Sequence, residues 1–297
     1  MKKNQNIIWL AVSVLMAALC AAVRLWQRNT AFEGPHGLPV PMAPASVILL
    51  VLLAASAIIL AVLTLRQQVV RKVKKMPELA LYIPGNSVFQ FAMVCAAFLL
   101  LLAAPFLFLD GRQHWLEYEA IKSAAIASGS VPGGNNGVLM LAAAVTSVLS
   151  CLGLIMTTRA ASHWMRKGRM GILMPVINNC LWLMELYRGH AAEPVRWNYA
   201  PMLVAVVFGM LLYLNFAGLF ANATKPCSVL WLAGMTVVTS AVALAGKWDT
   251  ASAVLMAAQI LTAIAVLWCV PNNLKYPPEL PAVELEAEEK LEEDTHE

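Results

Sequence analysis

One acid in this sequence stands where acids are expensive. Glu185 lies inside a mostly apolar stretch, Gly171 to Tyr187, whereas Asp110 and Asp249 sit at the ends of such stretches. An ionisable group within a membrane-type segment is costly to keep there, so it marks a candidate functional site by default. Read at helical spacing, Pro175, Asn178, Trp182 and Glu185 fall on one face, with Asn179 beside it. Ile172, Val176, Cys180 and Leu183 fall on the opposite side. Two amides, an indole and a carboxylate on one stripe could line a cavity for a small solute. Pro175 would free a backbone carbonyl one turn earlier, as in the broken helices that line some transporter sites. The candidate binding residues are therefore Asn178, Asn179, Trp182 and Glu185. The same pattern has a plainer explanation. Glu185 is three residues from Arg188 and could pair with it at the water interface, and a polar stripe also suits a helix lying flat on a membrane.

Little else in the chain could do chemistry. There is no His-Glu-x-x-His, no phosphate-binding loop, no Gly-x-Ser-x-Gly and no dinucleotide fingerprint. The five histidines, His36, His114, His163, His190 and His296, are scattered over loops and tail. His114 with Glu117 and Glu119 has a loosely metal-like spacing, and Met165, Met170 and Met174 near His163 have the thioethers that suit Cu(I). A solvated loop explains the first, and packing in a methionine-rich chain explains the second. No metal and no cofactor is expected. The six cysteines lie in or at the edge of apolar runs, none in a Cys-x-x-Cys pair, and read as small buried hydrophobes. With paired catalytic groups lacking, an enzyme acting on lipids is the least favoured function.

The elements that must position the stripe follow from composition. Of the 297 residues 60% are hydrophobic and 13% charged, about half the charge of an ordinary soluble domain. Runs free of Asp, Glu, Lys and Arg fall at about 4–23, 34–65, 79–109, 123–158, 197–224, 226–246 and 250–278. Crossing a hydrocarbon core takes roughly 20 helical residues. The runs do not alternate as the strands of a membrane barrel would. The expected fold is all-α: a polytopic transmembrane helix bundle over residues 1–276, in contact with the lipid bilayer, followed by a disordered acidic tail over 277–297. Small residues at every fourth position of the span from Val138 to Thr158 (Ala142, Thr146, Ser150, beside Ala143, Ser147, Cys151) allow close helix approach.

Charge sets the expected orientation. Arg66, Arg71, Lys72, Lys74 and Lys75 form the strongest positive cluster, which belongs on the cytoplasmic side and places the N-terminus there too. The net charge of +4 conceals a tail, from Pro271 onward, with nine acids against two lysines. The basic residues sit in short loops, so nucleic acid is not an expected partner. The Lys2-Lys3 start and compact loops fit a bacterial plasma membrane, with the first apolar run kept as an uncleaved helix.

Whether Gly171 to Tyr187 crosses decides the helix count. Seventeen residues reach roughly 25 Å, short of the usual thickness. Lysines and arginines divide fourteen to seven whether it crosses or lies on the basic face. Flanking Arg169 and Arg188 could snorkel and let a short helix span. Eight helices are therefore expected, with seven plus one interfacial amphipathic helix as the alternative. Two functions are carried forward: a transporter or permease-like subunit for a small or lipid-like solute, and a non-catalytic scaffold or regulatory partner that meets another membrane protein through its small-residue helix faces.

Overall fold

A computed structural model describes residues 5–32, 38–127, 135–163, 168–190, 199–246 and 248–279. The acidic tail from residue 280, the Gly-Asn turn at 128–134, Met165 and His36 lie outside them. Nine helices form among the described residues: α1 (Gln5–Thr30), α2 (Pro44–Arg66), α3 (Arg71–Lys75), α4 (Ser87–Ala127), α5 (Asn136–His163), α6 (Leu173–His190), α7 (Ala200–Phe220), α8 (Pro226–Leu244) and α9 (Thr250–Lys275). No sheet forms among them; Phe32 and Pro39 make one isolated bridge. All but α3 are long and apolar enough to cross a membrane, which makes the fold an all-α bundle of eight candidate spans. Exposed Leu, Ile, Val and Phe side chains such as Leu50, Val51, Phe91, Phe98 and Leu152 coat its outside, the reverse of a soluble protein.

α6 is among the eight candidate spans. It gains length from a 3-10 turn over Arg169–Ile172 and continues past Tyr187 to His190. The resulting 22 residues reach roughly 30 Å. It also runs antiparallel to α5 along that helix's length. Gly171 touches Gly153 at one end, Asn178 accepts from Thr146 Oγ1 at 2.9 Å in the middle, and Glu185 shares a cavity with Met140 at the other. A helix lying flat could not meet all three. Pro175 does not break it: the proline sits in the first turn, where its missing N–H has no helical partner to lose.

α4 runs well past the apolar stretch that ends at about 109. Gln113 to Ala127 continue it without a break, 41 residues in all, or roughly 60 Å. Leu116, Glu117, Ala120 and Lys122 are good helix formers, and no proline interrupts them. α5 joins α4 at Gly111 and Trp115: a Cβ on Gly137 would lie 2.6 Å from the Gly111 carbonyl oxygen. α9 carries Pro271 inside it and ends at Lys275. Its last turn is held from outside, since Pro271 and Leu274 carbonyls accept from Gln67 Nε2 (3.1 Å) and the Val70 N–H (3.0 Å).

The small-residue faces are spent within the chain. Ala143, Ser147, Ser150 and Cys151 are buried, and Ser147 Oγ donates to the Leu100 carbonyl of α4 at 2.7 Å. Gly153 is required where α5 meets the 169–172 turn, because a Cβ there would sit 2.2 Å from the Gly171 oxygen. α8 and α9 form the centre, with α1, α2 and α7 packed on α8 and α4 packed on α9.

Candidate functional site

The two ends of the bundle are built differently. At the end carrying Arg66 to Lys75, the chain between α2 and α4 folds back into the helices. Val73, Leu79, Ala80 and Leu81 are fully buried. The apolar run Leu79 to Ile83 is too short to cross and therefore packs as a plug. Gly85, at φ 71°, turns the chain out of it, and Asn86 caps α4 by accepting from the Phe89 N–H at 3.3 Å. Backbone groups left unpaired by an irregular segment must find partners from neighbouring elements. The Ile83 N–H donates to Ala161 O of α5 at 3.1 Å, and Asn273 Nδ2 of α9 donates to Ala80 O (3.0 Å) and Tyr82 O (2.9 Å). Arg169 forms a buried ion pair with Glu78 and lies 5.7 Å from the Phe220 ring centroid, a cation–π geometry.

At the opposite end a cavity of about 730 Å³ opens between α1, α4, α5, α6 and the α8–α9 turn. α1 runs two turns further than the apolar stretch alone predicts, and those turns carry Arg24 and Arg28 into the lining. Arg24 is 2% exposed and donates to Gln27 Oε1 at 2.5 Å; Gln27 in turn donates to Ser46 Oγ at 2.8 Å. Arg28 donates to the Ala245 carbonyl at 2.6 Å, tying α1 to the end of α8. Facing them are Glu185 of α6 and Asp249. Asp249 is the N-cap of α9, its carboxylate accepting from the Ser252 N–H at 2.9 Å. His190 also lines the cavity and stacks on Tyr199, centroids 5.5 Å apart. A second cavity of about 330 Å³ adjoins the first, sharing Met140, Glu185 and Asp249 and adding Asp110, Gln113 and His114. Three carboxylates from three parts of the chain thus gather here. Neither Glu185 nor Asp249 forms an ion pair with another described residue. The Glu185–Arg188 pairing considered from sequence is not among the described ion pairs.

The stripe on α6 is divided between two layers. Trp182 (1% exposed) and Glu185 line the cavity. Asn178 and Asn179 lie deeper, outside its lining, in contacts between helices. Asn178 accepts from Thr146, and Asn179 Oδ1 accepts from Gln259 Nε2 of α9 at 3.0 Å. Gly209 of α7 makes room for that amide, since a Cβ there would be 2.5 Å from Gln259 Cδ. Asn179 Nδ2 and Gln259 Oε1 remain buried with no hydrogen-bond partner. One helical turn further along α9, Thr262 contacts the Tyr213 hydroxyl at 3.3 Å. The midplane therefore holds a polar layer with one spare donor and one spare acceptor, unusual for groups so buried. Ile177, Met184 and Tyr187 form the exposed side of α6.

Sequence reasoning singled out Glu185 and Trp182 but missed Arg24, Arg28, Asp249 and Gln259. His114 pairs with Glu117 on an exposed helix face at 3.4 Å. No cluster of three metal-ligating side chains occurs among the described residues. No protein-family model matches this chain, and no curated protein or solved structure matches it.

Proposed function

We propose that this chain is a transporter or permease-like membrane protein for a small solute, which enters the cavity between α1, α6 and the α8–α9 turn. The observation that carries this reading is the asymmetry of the bundle. A charged cavity penetrates one end as far as Trp182, Leu107 and Met140, while the other end is closed by a packed segment and an ion pair. That is the form expected of one state of an alternating-access cycle, in which a gate opens on one side at a time. The spare amide donor and acceptor of Asn179 and Gln259 lie next on the route and would hydrogen-bond a passing solute or its water. The basic loops support a closed end in the cytoplasm and a cavity on the outer face of a plasma membrane, and the form of the loops favours a bacterial one.

The test needs no knowledge of the solute. In a cysteine-free background, Thr262→Cys lies one helical turn beyond the Asn179–Gln259 pair, toward the basic end. An impermeant thiol reagent applied from the basic side of membrane vesicles should modify it slowly. Locking the Glu78–Arg169 contact as a Glu78→Cys/Arg169→Cys disulfide should abolish that modification. If Thr262→Cys never reacts from the basic side, the closed end does not open and the transport reading fails.

A second reading rests on α4. Beyond Trp115 most of its described side chains are exposed, Leu116 (59%) and Ile121 (63%) among them. A projecting helix of this kind suits a scaffold or regulatory subunit that docks another membrane protein there. It is favoured if Leu116→Ser/Ile121→Ser removes a co-purifying protein in mild detergent and leaves Thr262→Cys reactivity unchanged.

A further inference from the structure

We infer that the solute bound in the cavity is zwitterionic, carrying an ammonium and an oxyanion a few atoms apart. This rests on the reading of the cavity as a solute site. The argument is one of charge. Glu185 and Asp249 approach the cavity from α6 and the α8–α9 turn, and Asp110 joins them in the adjoining space. Like charges gathered at the edge of a low-dielectric slab are costly unless a cation neutralises them. None of the three is ion-paired to a described residue. Arg28, on α1, supplies positive charge from another side of the same space. It makes no ion pair with a described residue, so the two signs meet across the cavity without pairing.

A simple cation would satisfy the acids and leave Arg28 with no anion among the described residues. A simple anion would do the reverse. A molecule with both charges satisfies both walls, with its ammonium against Glu185 and Asp249 and its oxyanion against the guanidinium of Arg28. A volume of about 730 Å³ lies in the range of small-molecule sites and takes an amino-acid-sized solute with water around it. Trp182, Leu107 and Met140 at the cavity's inner limit would meet its apolar part. Two sources present this chemistry: a free amino acid, and the phosphoethanolamine headgroup of a membrane lipid.

The full chain, purified in detergent, would be titrated by calorimetry with glycine, L-alanine and 4-aminobutyrate, with acetate and ethylammonium as single-charge controls. In parallel its melting temperature would be compared in nanodiscs of phosphatidylethanolamine and of phosphatidylglycerol. The inference expects saturable binding of at least one amino acid, or selective stabilisation by phosphatidylethanolamine. The first identifies a free solute and the second a headgroup. Glu185→Gln and Arg28→Gln should each weaken that binding roughly tenfold or more, as loss of a charge-assisted hydrogen bond does. Asp249→Asn, which keeps the helix cap, serves as an independent check on the acidic wall should either variant misfold. If acetate or ethylammonium alone binds as tightly as the amino acids, the two-sign inference is wrong, while the reading of the cavity as a solute site stands. If neither amino acids, controls nor phosphatidylethanolamine bind, both are wrong.

Discussion

The Glu78–Arg169 contact and the Glu185–Asp249–Arg28 cavity use the same chemistry to opposite ends. At the basic end an acid and a guanidinium are brought together, shielded by Phe220 and the buried Leu79–Leu81 segment, and the charge is satisfied internally. At the other end acids and arginines share a space of about 730 Å³ and are kept apart. Paired and buried, such groups close a structure. Separated around a cavity, they are available to something else. On the proposed reading, charge in this bundle is placed by role, because a purely structural charge would gain by finding its partner.

The comparison breaks first if the closed end is not structural. Arg169→Ala would remove from Glu78, 8% exposed, its ion-pair partner among the described residues. Breaking a buried pair from one side costs about 3–5 kcal/mol, read as a fall in unfolding free energy in mixed SDS–detergent micelles. A loss below about 1 kcal/mol would mean that the pair is a solvated surface contact. A smaller effect is expected where α5 passes the 169–172 turn. Gly153→Ala pushes a methyl into the Gly171 carbonyl, and overpacking of this kind costs roughly 1–3 kcal/mol. Wild-type stability in that variant would show that the helices separate freely there. Smaller again is Thr146→Val, which removes the hydrogen bond to Asn178; inter-helix bonds in membranes average about 0.6 kcal/mol.

The smallest effect on stability is predicted for the residue with the largest predicted effect on binding. Glu185→Gln keeps the side chain's shape and relieves repulsion from Asp249. Unfolding free energy should stay the same or rise, while affinity for a zwitterionic probe falls. A marked destabilisation would make Glu185 a structural residue and place the cavity end in the same class as the closed end.

Much of the fold was legible in the sequence, because a membrane span is written in one dimension: a run of apolar residues long enough to cross. The α6 segment was harder, since its length and flanking charges fit either placement. Its 3-10 entry and its pairing with α5 through Gly153, Thr146 and Met140 settle it, and none of these contacts is local. Trp182 and Glu185 could be picked out because an acid among apolar residues is conspicuous. Arg24 and Arg28 could not. A basic residue after an apolar run reads as an interfacial flank, and nothing local says that α1 continues for two more turns. Asp249 sits at the end of an apolar stretch, where it caps α9. Its place in the cavity lining depends on α6 and α1 standing opposite, a product of packing alone. Asn178 and Asn179 share a stripe with Glu185, yet sit a layer deeper among Thr146 and Gln259, because one helix face passes both a cavity and a packed midplane. The plug from Leu79 to Ile83 was hidden by joining the apolar run of α4, which Pro84 and Gly85 separate from it.

On the proposed transport reading, the open, charged end faces away from the basic loops and lies on the outer side of the membrane. Two single-cysteine variants in a cysteine-free background test it most directly. Ser252→Cys lies in the cavity lining, and Gln68→Cys lies at the start of the basic segment. With an impermeant thiol reagent, intact cells should label Ser252→Cys and leave Gln68→Cys unlabelled until the cells are lysed. Labelling of Gln68→Cys in intact cells, with Ser252→Cys protected until lysis, would invert the topology and contradict the account.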